Sequence, residues 1–235
     1  MSEPHSSSKP RIKPWTIWIP VIIMALGLVV FYNYLLYTKG QLEGDKKDRP
    51  PYIHKAEDDL ILTERSGKEV RMSELRGKIL LVSWVFTRCP RGCAGVVTKL
   101  KALHGEYAGR DDIHFVSFSL DPEDTPEMLK SFAEGAGISE DAPWWFVSGD
   151  MPKIRDFMVR QLRFRPVQTM PEADRLTPDD KFIHDLRVCL VDNEGNVRRL
   201  ADVMNADPEY ADFWDAQLRK DIDYLLAEKD KTEPK

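Results

Sequence analysis

Between Pro14 and Thr38 the chain carries no charged residue, and no other feature of the sequence restricts its folding as strongly. From Trp15 to Tyr37 (WTIWIPVIIMALGLVVFYNYLLY) the clearly polar members are Thr16 and Asn33. At about 1.5 Å rise per residue the run reaches roughly 35 Å, enough to cross a bilayer with some tilt. Trp15 and Trp18 stand at one end and Tyr32, Tyr34 and Tyr37 at the other, the two levels where amphipathic rings favour the headgroup region. A cleaved signal peptide has a shorter apolar region, about 7–15 residues, and small residues at the cut site, and the run has neither property. It therefore reads as a retained transmembrane anchor over residues 15–37. Charge does not orient it, because Lys9, Arg11 and Lys13 on one side face Lys39, Lys46, Lys47 and Arg49 on the other.

The anchor divides the remaining sequence. Residues 1–14 form a polar, basic tail. Residues 38–59, with Gly40, Gly44, Pro50, Pro51 and many charges, read as a linker. Residues 60–229 form the folded domain, and residues 230–235 are too polar to pack. With the basic tail set aside, the rest is more acidic than the overall net charge of −5. An acidic domain is a poor binder of polyanions, so nucleic acid is not expected as a partner.

Within 60–229 the hydrophobic period switches repeatedly between strand and helix. Residues 60–63 and 69–72 flank Ser66-Gly67 as a hairpin. The unbroken apolar run ILLVSWVF, residues 79–86, predicts a central strand covered on both faces. Residues 93–107 place Val96, Leu100, Leu103 and Tyr107 on one helical stripe. Residues 113–120 form a strand, and Thr125-Pro126 opens a helix with a cap residue followed by proline. Then come a strand at 144–147, a helix at 151–162, a strand-turn-strand over 186–200 and a helix over 208–228. This order predicts an α/β fold: a thioredoxin-like three-layer sandwich with an N-terminal β-hairpin, preceded by one transmembrane helix.

Of the three cysteines, two occur in Thr87-Arg88-Cys89-Pro90-Arg91-Gly92-Cys93, where the central strand passes into a helix. Chemistry in open α/β sheets concentrates at the carboxyl ends of the strands. If the segment is helical, the i, i+4 spacing puts both sulfurs on one face, close enough to share a metal ion or to form a Cys89–Cys93 disulfide. The helix N-terminus, Arg88 and Arg91 should favour thiolate over thiol. Cys189, inside a strand, reads as a small buried hydrophobe.

Two soft ligands need a third. Of the five histidines, His5 is in the tail and His54 in the linker. His104 lies roughly 16 Å along the helix from Cys93, out of ligand range, and His114 begins a strand as a satisfied structural residue. His184, in the polar loop before the 186–191 strand, is placed to face the cysteine rim, and Met170 is an outside candidate for a thioether ligand. Two thiolates and one imidazole suit Cu(I), with Cu(II) accessible. Structural zinc would want a fourth ligand.

Four segments then fit one family pattern: Leu75-Arg76-Gly77-Lys78 leading into the apolar strand and Cys89-Pro90-x-x-Cys93; Asp121-Pro122-Glu123-Asp124-Thr125-Pro126-Glu127; Ser148-Gly149-Asp150; and His184 ahead of Gly195. In these the chain resembles the Sco/SenC family of membrane-tethered, thioredoxin-fold copper proteins of cytochrome c oxidase assembly. The resemblance implies one copper ion per chain, with Cys89, Cys93 and His184 as metal ligands. It also implies a single-pass membrane protein with a cytoplasmic N-terminus and its domain in the periplasm or an equivalent oxidising compartment. The implied partners are the copper-bearing subunit of cytochrome c oxidase or a related copper-site protein, a copper donor protein, and the membrane through residues 15–37. Arg91 stands where the family often has an acid. With Arg88 it sets positive charge beside a cation site, a cost to metal binding unless both side chains turn outward. An alternative role is thiol–disulfide exchange, in which Cys89 attacks and Cys93 resolves as the catalytic residues.

Overall fold

The computed structural model describes residues 15–232. The tail 1–14, with His5 and its basic residues, lies outside the described residues, as do residues 233–235. The chain divides into two compact units, Met1–Arg49 and Pro50–Lys235.

The first unit contains helix α1, Trp15–Asp48. Within it Trp18–Thr38 is long and apolar enough to cross a membrane, with a mean hydropathy of 2.2 and no share buried. Its few polar groups turn back on the helix: Asn33 Nδ2 donates to the Val29 carbonyl (2.8 Å) and Thr38 Oγ1 to that of Leu35 (3.0 Å). Both side chains thus find a partner within the helix, as a lipid environment favours. Pro20 lies inside the helix rather than on its first turn, and its missing N–H removes one backbone bond. Helix continues past Tyr37 to Asp48, into the stretch expected to be linker.

The second unit is built on an eight-stranded sheet, in the order β1-β10-β9-β4-β5-β6-β2-β3. The strands are β1 (His54–Lys55), β2 (Ile61–Glu64), β3 (Glu69–Arg71), β4 (Ile79–Val85), β5 (Ile113–Ser119), β6 (Trp144–Ser148), β9 (Val188–Val191) and β10 (Asn196–Ala201). β4, β5 and β6 run parallel, whereas β9 pairs antiparallel with β4, and β2 with β6. A separate ribbon pairs β7 (Gln168–Thr169) with β8 (Phe182–Ile183).

Every residue of β4 is buried, because the strand is covered on both faces. On one side Ile79, Leu81 and Val85 pack against α2 (Cys93–Glu106), α3 (Pro126–Gly135) and α5 (Pro208–Thr232). On the other, Leu80, Val82 and Trp84 pack against Ile154, Phe157 and Met158 of α4 (Met151–Arg160). This is the expected three-layer, thioredoxin-like sandwich. The buried serines are matched: the Ser83 and Ser117 hydroxyls lie 3.2 Å apart, and Trp144 Nε1 donates to Ser117 (3.0 Å). Thr125 and Asp150 cap α3 and α4 by accepting from the Met128 and Lys153 amides.

Two features depart from expectation. β1 pairs with β10 inside the stretch read as linker, and the segment is drawn in by Arg198. That buried guanidinium donates to the Pro50 and Pro51 carbonyls (2.6 and 3.0 Å) and pairs with Asp192 (2.8 Å). His114 is structural but not satisfied. It is buried on β5 with neither ring nitrogen hydrogen bonded, against the edge of Trp145 at 5.0 Å.

Candidate metal centre

β4 ends at Val85, and the chain turns through residues 86–92 before α2 begins at Cys93. The turn is closed by the Cys89 amide donating to the Phe86 carbonyl (3.1 Å). At its start Thr87 Oγ1 donates to the buried Asp124 carboxylate (2.5 Å), which also accepts from Ser119 Oγ (2.7 Å). Burial pushes the Asp124 carboxyl upward, against these hydrogen bonds. Gly92 allows a close approach: a Cβ there would lie 2.9 Å from Leu186 Cδ1, so the segment carrying His184 packs directly on this turn.

The structure brings Cys89, Cys93 and His184 together, with all three ligand atoms within 4.8 Å of one another. His184 Nε2 is 3.1 Å from Cys93 Sγ and 3.9 Å from Cys89 Sγ. On its far side Nδ1 lies 3.1 Å from the Asp185 carbonyl. A carbonyl only accepts, so the ring proton belongs on Nδ1 and the Nε2 lone pair is aimed at the sulfurs. Asp185 is itself held by Arg187 and the Arg165 amide.

The two sulfurs are unequal. Cys93 is buried and Cys89 half-buried, and neither is in a disulfide. Hydrogen bonding from the Cys93 thiol, with help from the Cys93 and Arg91 amides, outweighs burial and holds Cys89 well below the usual thiol range. Its neighbour's negative charge and its own burial push Cys93 up. The pair therefore keeps its proton on the inner sulfur and presents a thiolate on the outer one.

Arg88 and Arg91 both turn away from the sulfurs. Arg88 pairs with Asp121 (2.6 Å), Glu123 (2.8 Å) and Asp179 (3.4 Å), and Arg91 with Asp180 (2.7 Å). Sequence reasoning found the arginines and missed these acids. The adjacent Asp179-Asp180 pair was visible but carried no sign of which cations it would meet.

The other candidates have surroundings of their own. Cys189 is fully buried, with its thiol pushed up by burial. Met170 is buried at the end of β7. His104 packs on Phe115 and Trp144, and His54 Nδ1 lies 2.9 Å from Arg163 Nη2. Two sulfurs and one imidazole in a half-buried rim suit a soft metal ion better than a hard one.

Comparison with known proteins gives a consistent picture. The SCO1/SenC family pattern matches residues 54–216. The SCO1 protein homolog of Bacillus subtilis (strain 168) is 30% identical over 136 residues, 57% of this chain and 66% of that one, just under two thirds of its length. A SCO1/SenC family lipoprotein from Bacillus anthracis str. Ames superposes with a TM-score of 0.55 at 26% identity, covering 72% of this chain and 96% of the other. Bradyrhizobium japonicum ScoI, solved with copper bound, shares the fold at 21% identity and a TM-score of 0.51, over 70% of this chain and 99% of that one.

Proposed function

The chain belongs to the SCO1/SenC family, and from that premise we propose that it holds one copper ion on Cys89, Cys93 and His184 and delivers it in cytochrome c oxidase assembly. The observation that carries this reading is the convergence of two sulfurs and one oriented imidazole nitrogen within 4.8 Å. The reading also agrees with the copper bound in ScoI of B. japonicum. The ion, Cu(I) or Cu(II), is cargo taken from a copper donor protein and given to the copper-bearing subunit of the oxidase or a related copper-site protein. A thiolate on Cys89 and a lone pair on His184 Nε2 are ready to accept it, and Cys93 gives up its proton on binding. The half-exposed Cys89 faces the partner. In this reading residues 15–37 anchor the chain in the membrane, with the N-terminus cytoplasmic, and hold the domain in the periplasm or an equivalent oxidising space.

The test is metal content. The full chain, purified in detergent and dialysed against copper, should retain about one ion, and Cys89→Ala, Cys93→Ala and His184→Ala should each lose tight binding. Full occupancy in the His184 variant would remove the three-ligand site.

The inequality of the two thiols favours a second role, thiol–disulfide exchange. The Cys89 thiolate attacks a partner disulfide and releases one partner thiolate. Cys93, after losing its proton, attacks the mixed disulfide and releases the second. The partner gains two electrons from the chain and two protons, one from Cys93 and one from water, as its cysteines are reduced, and the chain is left with a Cys89–Cys93 disulfide. Cys93→Ala should accumulate mixed disulfides with a disulfide-bonded substrate peptide, and their absence would dismiss this role.

A further inference from the structure

His184 is supported very differently on its two sides. After it, Asp185 is fixed by Arg187 and the Arg165 amide, and Leu186 packs on Gly92. Before it lies the long excursion between β7 and β8, and those two-residue strands pair only with each other. A ribbon that short is not stable alone in water. Phe182 anchors its base against Phe86 at 5.6 Å. Between Pro171 and Lys181, however, no apolar side chain is buried, and Leu176 is 65% exposed. The one buried residue of that stretch is Asp180, a carboxylate.

A buried carboxylate needs a cation, and this one takes it from the cysteine turn. Arg91 Nε donates to Asp180 Oδ2 (2.7 Å), which also accepts from the Leu176 amide (2.9 Å), and Arg91 Nη2 donates to the Asp174 carbonyl (2.7 Å). On the other side of Cys89, Arg88 Nη1 reaches Asp179 Oδ1 (3.4 Å), and its Nη2 donates to Asp121 and Glu123. Lys181 closes the ring by donating to Glu123 (2.9 Å). Two neighbouring acids on the excursion thus meet two arginines that bracket Cys89.

We propose that Arg91 with Asp180, backed by Arg88 with Asp179, are positioning residues that clamp the excursion onto the cysteine turn and so hold the His184 imidazole over the two sulfurs. The inference rests on the reading that these three residues bind copper. Removing Arg91 leaves the buried Asp180 carboxylate without its cation, and removing either member of that pair frees the segment leading into His184. Groups that orient a metal ligand without touching the metal typically carry 10- to 100-fold in affinity.

The test uses the full chain in detergent with Arg91→Met, the near-isosteric Asp180→Asn and the conservative Arg91→Lys. Arg91→Met and Asp180→Asn should each weaken Cu(I) binding by about 10- to 100-fold against a chromophoric chelator. They should also lose the imidazole nitrogen coupling from the Cu(II) spin-resonance spectrum, and Arg91→Lys should restore most of it. In the metal-free chain, amides over residues 171–183 should exchange faster in both variants while those of β4 and β5 stay protected. Wild-type affinity, nitrogen coupling and amide protection in Asp180→Asn overturn the proposal. So does loss of protection throughout β4 and β5 in Arg91→Met with Asp180→Asn unchanged, since the arginine is then a general stability residue. Failure of the wild-type chain to take up copper removes the copper reading instead, and amide exchange then decides the positioning claim by itself.

Discussion

His114 has no hydrogen-bond partner for either ring nitrogen, and its burial, with a smaller contribution from Lys78, pulls its pKa down to about 3. An unfolded histidine titrates near 6.5. Between those values the unfolded chain holds a proton that the folded chain does not. Stability is therefore full above about pH 6.5 and falls as pH drops toward 3. At about 1.4 kcal/mol per unit, His114 alone removes about 2 kcal/mol between pH 7 and 5. Urea titrations at the two pH values should show this loss, and His114→Leu should abolish that share; an equal loss in the variant would mean that other groups carry it. The cysteine spacing and the loop histidine were legible residue by residue because their chemistry is local. The acids that neutralise Arg88 and Arg91 were not, because Asp121, Asp179 and Asp180 become partners only after distant segments meet.

At the scale of elements, the strongly periodic ones stood where the sequence placed them. β4 and β5 are buried along their whole length, and α2 and α5 each bury one face long enough to leave a helical period. β1, β7 and β8 are two residues each, too short to show alternation, and they exist because something else holds them. For β1 that agent is Arg198, whose side chain is 5% exposed and pairs with an Asp192 side chain that is 4% exposed. Arg198→Ala should cost about 3 kcal/mol, since it leaves the Asp192 carboxylate buried beside one fewer donor. It should also open residues 50–56 to proteolysis ahead of the remaining domain, and an unchanged cleavage pattern would assign the ordering of β1 to its pairing with β10 alone.

For the molecule as a whole, the proposed metal ligands are brought together by the entire tertiary structure, since His184 lies 95 positions from Cys89 and 91 from Cys93. A ligand that binds the folded state selectively stabilises it, by about 2.7 kcal/mol at a hundredfold excess over its dissociation constant. Copper should therefore raise the melting temperature of the wild-type chain and raise that of His184→Ala less. Equal shifts would mean that the sulfurs bind as well in the unfolded chain. The apolar helix Trp18–Thr38 was the most legible feature, because a continuous apolar run needs no tertiary partner to be recognised.

The separation of those ligands along the chain also sets an order of events. A growing polypeptide presents both cysteines long before it has made His184, and it finishes the α5 helix that covers the sheet only at the end. The three-ligand cradle cannot form until His184 has been made and the strands on either side of it have paired. If the domain is carried across a membrane behind its anchor, it arrives empty. On the proposed copper reading, the first ion is met only where the domain has folded.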